Sequence, residues 1–279
     1  MPSDSLFSRF DAITLDEMNA TARMMTRVDR KYLLSTAEAF TLVDALPSRT
    51  RILTVNDQIW QHYRTSYLDS SRWGSYHATA YKRRRRYKVR MRNYVDSGLA
   101  FLEVKTRGPR KTTVKNRTPI TVEAVDGDAV PAESVEWLAG MLEQLCVSVD
   151  VADLRPTLRN EYWRATVKLP DLGRATIDTS LAWRSSRGGE LSGLDLVCVE
   201  TKSGASPSVV DKKLWASPSV VDKKLWASPS VVDKKLWARG HRPLRVSKFG
   251  TGLAVMHPEL PSNKWRPAMK KFELARQES

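Results

Sequence analysis

Basic and acidic side chains recur at two-residue spacing along this chain, in the pattern that chemistry on a polyanion requires. In Lys82–Arg92 (Lys-Arg-Arg-Arg-Arg-Tyr-Lys-Val-Arg-Met-Arg) the second half alternates strictly. Lys88, Arg90 and Arg92 therefore fall on one side of an extended chain, and Tyr87, Val89 and Met91 on the other. Glu103 with Lys105, Lys115 with Arg117, Tyr162 with Arg164, Arg174 with Asp178 and Glu200 with Lys202 are separated by two or four residues, so each pair shares a strand face. Cations buried together without anions are prohibitive, so these faces meet water, carboxylate or a ligand. Phosphate matches them, because Arg offers a fork of donors and Lys a mobile point charge. Glu103, Asp178 and Glu200 lie among the cations. Either they are ion-pair partners in a charged interior, or one or two of them hold Mg²⁺ or Mn²⁺, hard ions that take carboxylate, water and phosphate oxygen.

The bulk composition agrees. A net charge of +15 on 279 residues points to an anionic partner without saying which. Arg83–Arg86 leaves nucleic acid open as an alternative. Other chemistries lack their signatures. There is no phosphate-loop glycine motif, Gly250-Thr-Gly252 is too short for a dinucleotide fold, and His62, His77, His241 and His257 lack metal-ligand spacing. Ser-His-Asp catalysis has no local support. Cys146 and Cys198 are too far apart for a zinc motif, which fits a reducing cytoplasm. No apolar run reaches membrane-span length and the start lacks a signal-peptide core, so a soluble cytoplasmic protein is expected.

The positioning elements are mostly strands. Strand patterns are read at 27–34, 63–69, 86–94, 99–106, 112–119, 161–169, 174–181 and 194–202, joined by short polar turns. Helices are expected over 5–25, over 36–46 with Thr36 as N-cap, and over 131–147 with Val135, Leu138, Leu142 and Leu145 as its apolar stripe. The fold class is α+β, an antiparallel sheet that curls or closes, because a parallel doubly wound sheet needs helices that are missing. Ala-Ser-Pro-Ser-Val-Val-Asp-Lys-Lys-Leu-Trp occurs three times unchanged, at 205–215, 216–226 and 227–237. Ser206 is expected to cap a short helix with Pro207 in its first turn, and Pro218 and Pro229 would break any continuous rod. One copy should pack through Val210, Leu214 and Trp215 or their equivalents. Sequence leaves open which.

Nine motifs in order carry a family resemblance: Arg-Val-Asp-Arg-Lys-Tyr (27–32), Tyr-Leu-Asp (67–69), Arg-Tyr-Lys-Val-Arg-Met-Arg (86–92), Phe-Leu-Glu-Val-Lys (101–105), Val-Lys-Asn-Arg (114–117), Tyr-Trp-Arg (162–164), Arg-Ala-Thr-Ile-Asp (174–178), Val-Glu-Thr-Lys-Ser-Gly (199–204) and Val-Ser-Lys-Phe-Gly (246–250). Their order resembles the VTC domain, the polyphosphate polymerase branch of the triphosphate tunnel metalloenzymes, which are related to the CYTH proteins. The resemblance implies one domain over 1–279, an eight-stranded antiparallel β-barrel tunnel with flanking helices, interrupted by the triplicated helical insertion at 205–237. It implies ATP and polyphosphate as partners, Mn²⁺ or Mg²⁺ as cofactor, and a membrane protein as an open further partner, with nucleic acid disfavoured. Phosphates would be gripped by Lys31, Lys88, Arg90, Arg92, Lys105, Lys115, Arg117 and Lys202, with Tyr162 orienting substrate. Lys248, Arg164 and Arg174 would act at the transferring phosphate, and Glu200, supported by Glu103, would hold the metal. Asp29 stands where many tunnel proteins carry Glu. A triphosphate or nucleotide hydrolase of the same fold, or a non-catalytic polyphosphate sensor, fits the same motifs.

Overall fold

The computed structural model describes residues 2–22, 27–107, 113–170, 173–204 and 229–277. The chain is α+β, with an antiparallel sheet and several helices, and it divides into two compact units. The first comprises Met1–Gln61, Trp163–Thr179 and Asp195–Leu244, and the second His62–Tyr162, Ser180–Leu194 and Arg245–Ser279. Among the described residues no helix is long and apolar enough to cross a membrane.

In the first unit β1 (Asp11–Ile13) runs parallel to β3 (Arg51–Leu53), which pairs with the second half of β8 (Arg155–Lys168). β2 (Arg27–Leu34) pairs with β11 (Val197–Gly204), and β11 with the first half of β9 (Arg174–Ser185). Alternation sets the faces. Tyr32, Leu34, Ala165, Val167, Ala175, Ile177, Val197 and Val199 are buried in one cluster with Leu42 and Val43 of α2 (Thr36–Asp44). Lys31, Arg164, Arg174, Asp178, Glu200 and Lys202 occupy the intervening positions. Ser35, not Thr36, caps α2: its side chain accepts from Glu38 N–H while the Glu38 carboxylate accepts from Ser35 N–H.

The expected helix over 5–25 breaks into a 3-10 turn at Asp4–Phe7, β1 and α1 (Leu15–Ala22), with Met24 and Met25 outside the described residues. Phe7 and Phe10 are buried in the core beside Trp60, and the helix is interrupted because Asp11–Ile13 is drawn into pairing with β3. Thr14 and Glu17 then restart the chain as a helix by exchanging hydrogen bonds.

In the second unit β4 (Gln61–Asp69), β5 (Tyr87–Tyr94), β6 (Leu99–Arg107) and β7 (Thr113–Ile120) form an antiparallel meander. Val89, Met91, Leu102 and Val104 pack with Leu138 and Leu142 of α4 (Val135–Gln144). α3 (Gly74–Ala80) follows β4, and its signal is polar: the Asp69 carboxylate accepts from the N–H groups of Ser70, Ser75 and Tyr76. Burial raises the Asp69 carboxyl to about 6 although those backbone donors pull it down. β10 (Glu190–Leu191) extends the second half of β9.

The sheet differs from an eight-stranded barrel. Its hydrogen-bonded order is β2-β11-β9-β8-β4-β5-β6-β7, with β1, β3 and β10 off the path, and among the described residues it does not close. Hydrophobic alternation reports which face of a strand is buried, not which edges meet. β8 also begins six residues earlier than expected, at Arg155, because Pro156 reads as a turn yet is tolerated at a strand start.

Of the three repeat copies, the third lies mostly within the described residues, and it is docked. Ser230 caps α5 (Val231–Ala238) through a reciprocal box with Asp233, and Val232, Leu236 and Trp237 pack on the first unit's core. Within this copy the cap is the second serine rather than the first, because only the second has an acidic residue three positions on. The first two copies, with Ser206, Pro207, Val210, Leu214, Trp215 and Pro218, lie outside the described residues. Deleting residues 205–226 leaves one perfect copy and is expected to preserve or raise the melting temperature and activity. A shortened chain that cannot fold would show the other copies to be structural.

Candidate functional site

Two groups of charged side chains stand out, one in each unit. In the first unit the register of β2 and β11 sets Glu200 opposite Lys31 and Lys202 opposite Asp29. Lys31 Nζ donates to Glu200, and Lys202 Nζ lies 3.4 Å from Glu200 and 3.9 Å from Asp29. Burial alone would push the Glu200 carboxyl up, but the ammoniums of Lys31 and Lys202 and the Arg164 guanidinium hold it well below the ordinary range. Arg164 grips Asp178 with two donors, Nε to Oδ1 at 2.5 Å and Nη2 to Oδ2 at 2.8 Å. Asp178 is fully buried, so it fixes the guanidinium rather than meeting a ligand. Arg174 lies across from Lys202 on the neighbouring strand.

In the second unit Glu103 is the hub. Its Oε2 accepts from Arg90 at 2.5–2.6 Å and its Oε1 from Lys115 at 2.9 Å, with the side chain 1% exposed. Burial raises the Glu103 carboxyl, but Arg90, Arg92 and Lys115 outweigh it and bring it to about 2. The folded-state value lies below the ordinary 4.5, so this stabilisation is complete above pH 4.5 and is lost as pH falls toward 2. Glu103→Gln is accordingly expected to flatten the acid limb of stability below pH 4.5, read as the urea midpoint against pH. An unchanged limb would place the titrating group elsewhere.

Around this hub Arg92 donates to Thr65 Oγ1 at 3.1 Å and lies 5.5 Å from the Tyr63 ring, which stacks on Tyr162 at 5.1 Å. Lys248 Nζ lies 4.3 Å from the Tyr162 ring centroid. Lys88 Nζ donates to Ser247 Oγ at 2.8 Å, and the same oxygen caps α6 (Lys248–Met256) through Gly250 N–H. α6 lies flush on two indoles: a Cβ on Gly250 would come within 2.2 Å of Trp265, and one on Gly252 within 2.7 Å of Trp183. That close fit is why Val-Ser-Lys-Phe-Gly and the following Gly252 position Lys248. Lys105 pairs in register with Lys88 and Lys115, and Arg117 lies over the Phe101 ring at 4.3 Å.

Tyr67 was not singled out from sequence. It shares a face with Tyr63 and Thr65 and pairs in register with Arg90. Burial raises its hydroxyl, yet Arg90, Arg92 and Lys248 bring it below the ordinary tyrosine value. The two-residue spacing of Tyr63, Thr65 and Tyr67 was the signal available.

For a divalent cation the donor chemistry is uneven. Among the described residues no group of three acidic, histidine or cysteine side chains converges. Both Glu103 oxygens are engaged by Arg90 and Lys115, and both Glu200 oxygens by Lys31 and Lys202. Glu200 and Asp29 flank the Lys202 ammonium from neighbouring strands, two hard oxygen donors around one cation. Their oxygens suit Mg²⁺ or Mn²⁺ in kind, and an ion there would take the place of the Lys202 ammonium and complete its shell with phosphate and water.

The VTC domain family model matches residues 26–257, and the chain belongs to that family. No curated protein matches the sequence at a significant level. Among solved structures the chain is similar to the putative adenylyl cyclase HpAC1 from Hippeastrum, described as having a dominant triphosphatase activity. That match has 13% identity and a TM-score of 0.45, and covers 86% of this chain and 100% of that one. A conserved hypothetical protein from Pyrococcus furiosus is 12% identical, with a TM-score of 0.33 over 68% of this chain and 86% of that one. The PH1819 protein from Pyrococcus horikoshii OT3 is 12% identical, with a TM-score of 0.34 over 77% of this chain and all of that one.

Proposed function

We propose that this VTC-family chain is a metal-dependent phosphotransferase that adds the terminal phosphoryl group of ATP to polyphosphate. The P–O bond to the β-phosphate breaks, a bond forms to the terminal oxygen of the acceptor chain, and ADP leaves. Lys31, Arg164, Arg174 and Lys202 in the first unit, and Lys88, Arg90, Arg92, Lys105, Lys115 and Arg117 in the second, are the phosphate contacts in this reading. Such transfer requires positioning and charge neutralisation more than covalent help from the protein. Tyr162 and Tyr67 orient Lys248 and Arg90, Asp178 fixes the Arg164 guanidinium, and Glu103 offsets the repulsion between Arg90 and Lys115. A divalent ion held by Glu200 with Asp29 supplies, when bound, further neutralisation of phosphate oxygens.

The observation that carries the polymerase reading is the state of the carboxylates. Glu200 and Glu103 are both held below the ordinary range by cations. Carboxylates so stabilised are weak general bases toward water. An acceptor phosphate is already ionised and needs no base. The test is purified protein with ATP, Mn²⁺ and short polyphosphate, with products resolved on a gel and free phosphate measured alongside. Metal-dependent chain growth is expected. Phosphate release without growth would identify a hydrolase instead, and binding without turnover a polyphosphate sensor.

A further inference from the structure

The second unit contains a further cationic cavity, of which the reading above uses only Lys88 and Lys105. Where β5 begins and β6 ends, a cavity of about 150 Å³ is lined by Arg86, Lys88, Lys105, Arg107 and Lys264. Thr79, at the end of α3, and Thr106 complete its polar lining. Both threonines are less than a tenth exposed, and neither hydroxyl has a hydrogen-bond partner. No carboxylate lines the cavity among the described residues. This is the reverse of the Glu103 hub, where each oxygen has a cation.

A buried hydroxyl without a partner costs about 1–3 kcal/mol, and the charges of Arg86, Arg107 and Lys264 gathered beside the two hydroxyls repel one another. A ligand oxyanion answers both, since it accepts from hydroxyls and neutralises the cations. We propose that this cavity is an oligophosphate-binding subsite, in which Arg86, Arg107 and Lys264 hold the anion and the Thr79 and Thr106 hydroxyls donate to its oxygens.

The chemistry of the lining favours a phosphate chain over nucleic acid. Tyr87 is the only ring in the lining and is buried, so no aromatic surface is offered to a base. Lys88 and Lys105 belong both to this cavity and to the proposed phosphate contacts, so a chain engaged at those lysines would reach it without a gap. That continuity rests on the proposed function; the binding of an oxyanion here does not. Lys264 donates to Thr79 O at 2.7 Å, which orients its ammonium. Burial, then Arg86, Arg245, Lys82 and Arg107, depress it to about 8, as expected of a cation waiting for a counter-ion.

Lys264 is therefore its own reporter. In protein carrying ¹³C-labelled lysine, its signal is assigned by its loss in Lys264→Arg and followed against pH, with and without tripolyphosphate in EDTA. Tripolyphosphate is expected to move the Lys264 midpoint upward by about one pH unit, saturably. Arg86→Gln with Arg107→Gln is expected to weaken that response about tenfold or more. An unmoved Lys264 while other lysines respond would overturn the subsite and leave the proposed function standing. An equal shift with sulfate at matched ionic strength would reduce the effect to screening and overturn it too. So would a response to a single-stranded oligonucleotide but not to tripolyphosphate. Conversely, a saturable Lys264 response in a chain that neither extends nor hydrolyses phosphate chains would sustain the subsite and remove the catalytic reading.

Discussion

Glu200→Gln is expected to lower metal-dependent turnover by orders of magnitude while leaving the fold intact. Glutamine keeps the size and one carbonyl oxygen but removes the charge that Lys31 and Lys202 share. In the proposed function the same charge recruits the divalent ion beside Asp29, and a neutral amide is a poor ligand for a hard cation. The fold should survive, because the Glu200 side chain is 14% exposed and its ammonium partners are wetter still. The melting temperature should move by a few degrees at most, and the Mn²⁺ titration of activity should flatten. Full activity with an unchanged Mn²⁺ requirement would move the ligand elsewhere, with Glu103 the next carboxylate to remove.

A second large effect is expected in stability, at Asp233. This carboxylate is fully buried and accepts from the Tyr32 hydroxyl, from Thr201 Oγ1 at 2.7 Å and from Ser230 N–H and Oγ at 2.8 Å, with Arg30 at 3.3 Å. Arg30 is itself 2% exposed, so losing Asp233 takes a carboxylate away from a guanidinium in the core. Breaking such a pair from one side costs about 3–5 kcal/mol. In the chain shortened by residues 205–226, Asp233→Ala should cost about that much in urea unfolding. In the full chain the loss should be smaller, because Asp211 and Asp222 stand in identical sequence and either copy can take the third one's place. Equal losses in the two chains would show that only the third copy can dock.

These sites show what was legible in the sequence. Alternation alone assigned Lys88, Arg90 and Arg92 to one strand face, and the register with Glu103 and Lys105 on β6 agrees. Alternation likewise gave Glu200 and Lys202 a common face, but that Glu200 lies opposite Lys31 emerges only from the β2–β11 register. Strand edges were not legible, because periodicity is local while pairing is decided by distant segments. Hence the open order of the sheet, and the early start of β8. α3 was missed because its anchor, Asp69, lies upstream of the helix and no apolar stripe announces it. The Asp233 network was hidden for another reason: three identical copies made every candidate equivalent until one was packed against Tyr32. Tyr67 and Asp29 went unassigned because each acquires meaning only from the cation across from it.

Under the proposed function, the carboxylates paired with these cations also bear on how a polymer moves past them. A bare row of guanidiniums and ammoniums would trap a long polyanion, since each unit would fall into a deep electrostatic well. Arg90, Lys115, Lys31 and Arg164 instead each have a carboxylate partner already. A phosphate arriving at one of them exchanges one anion for another, and a phosphate departing is replaced at once. In the proposed function each step at such a cation is then a swap of nearly equal contacts rather than the breaking of an ion pair, so its well becomes shallow. Tight grip and easy sliding, opposed on a naked cationic surface, become compatible where a cation has a fallback partner.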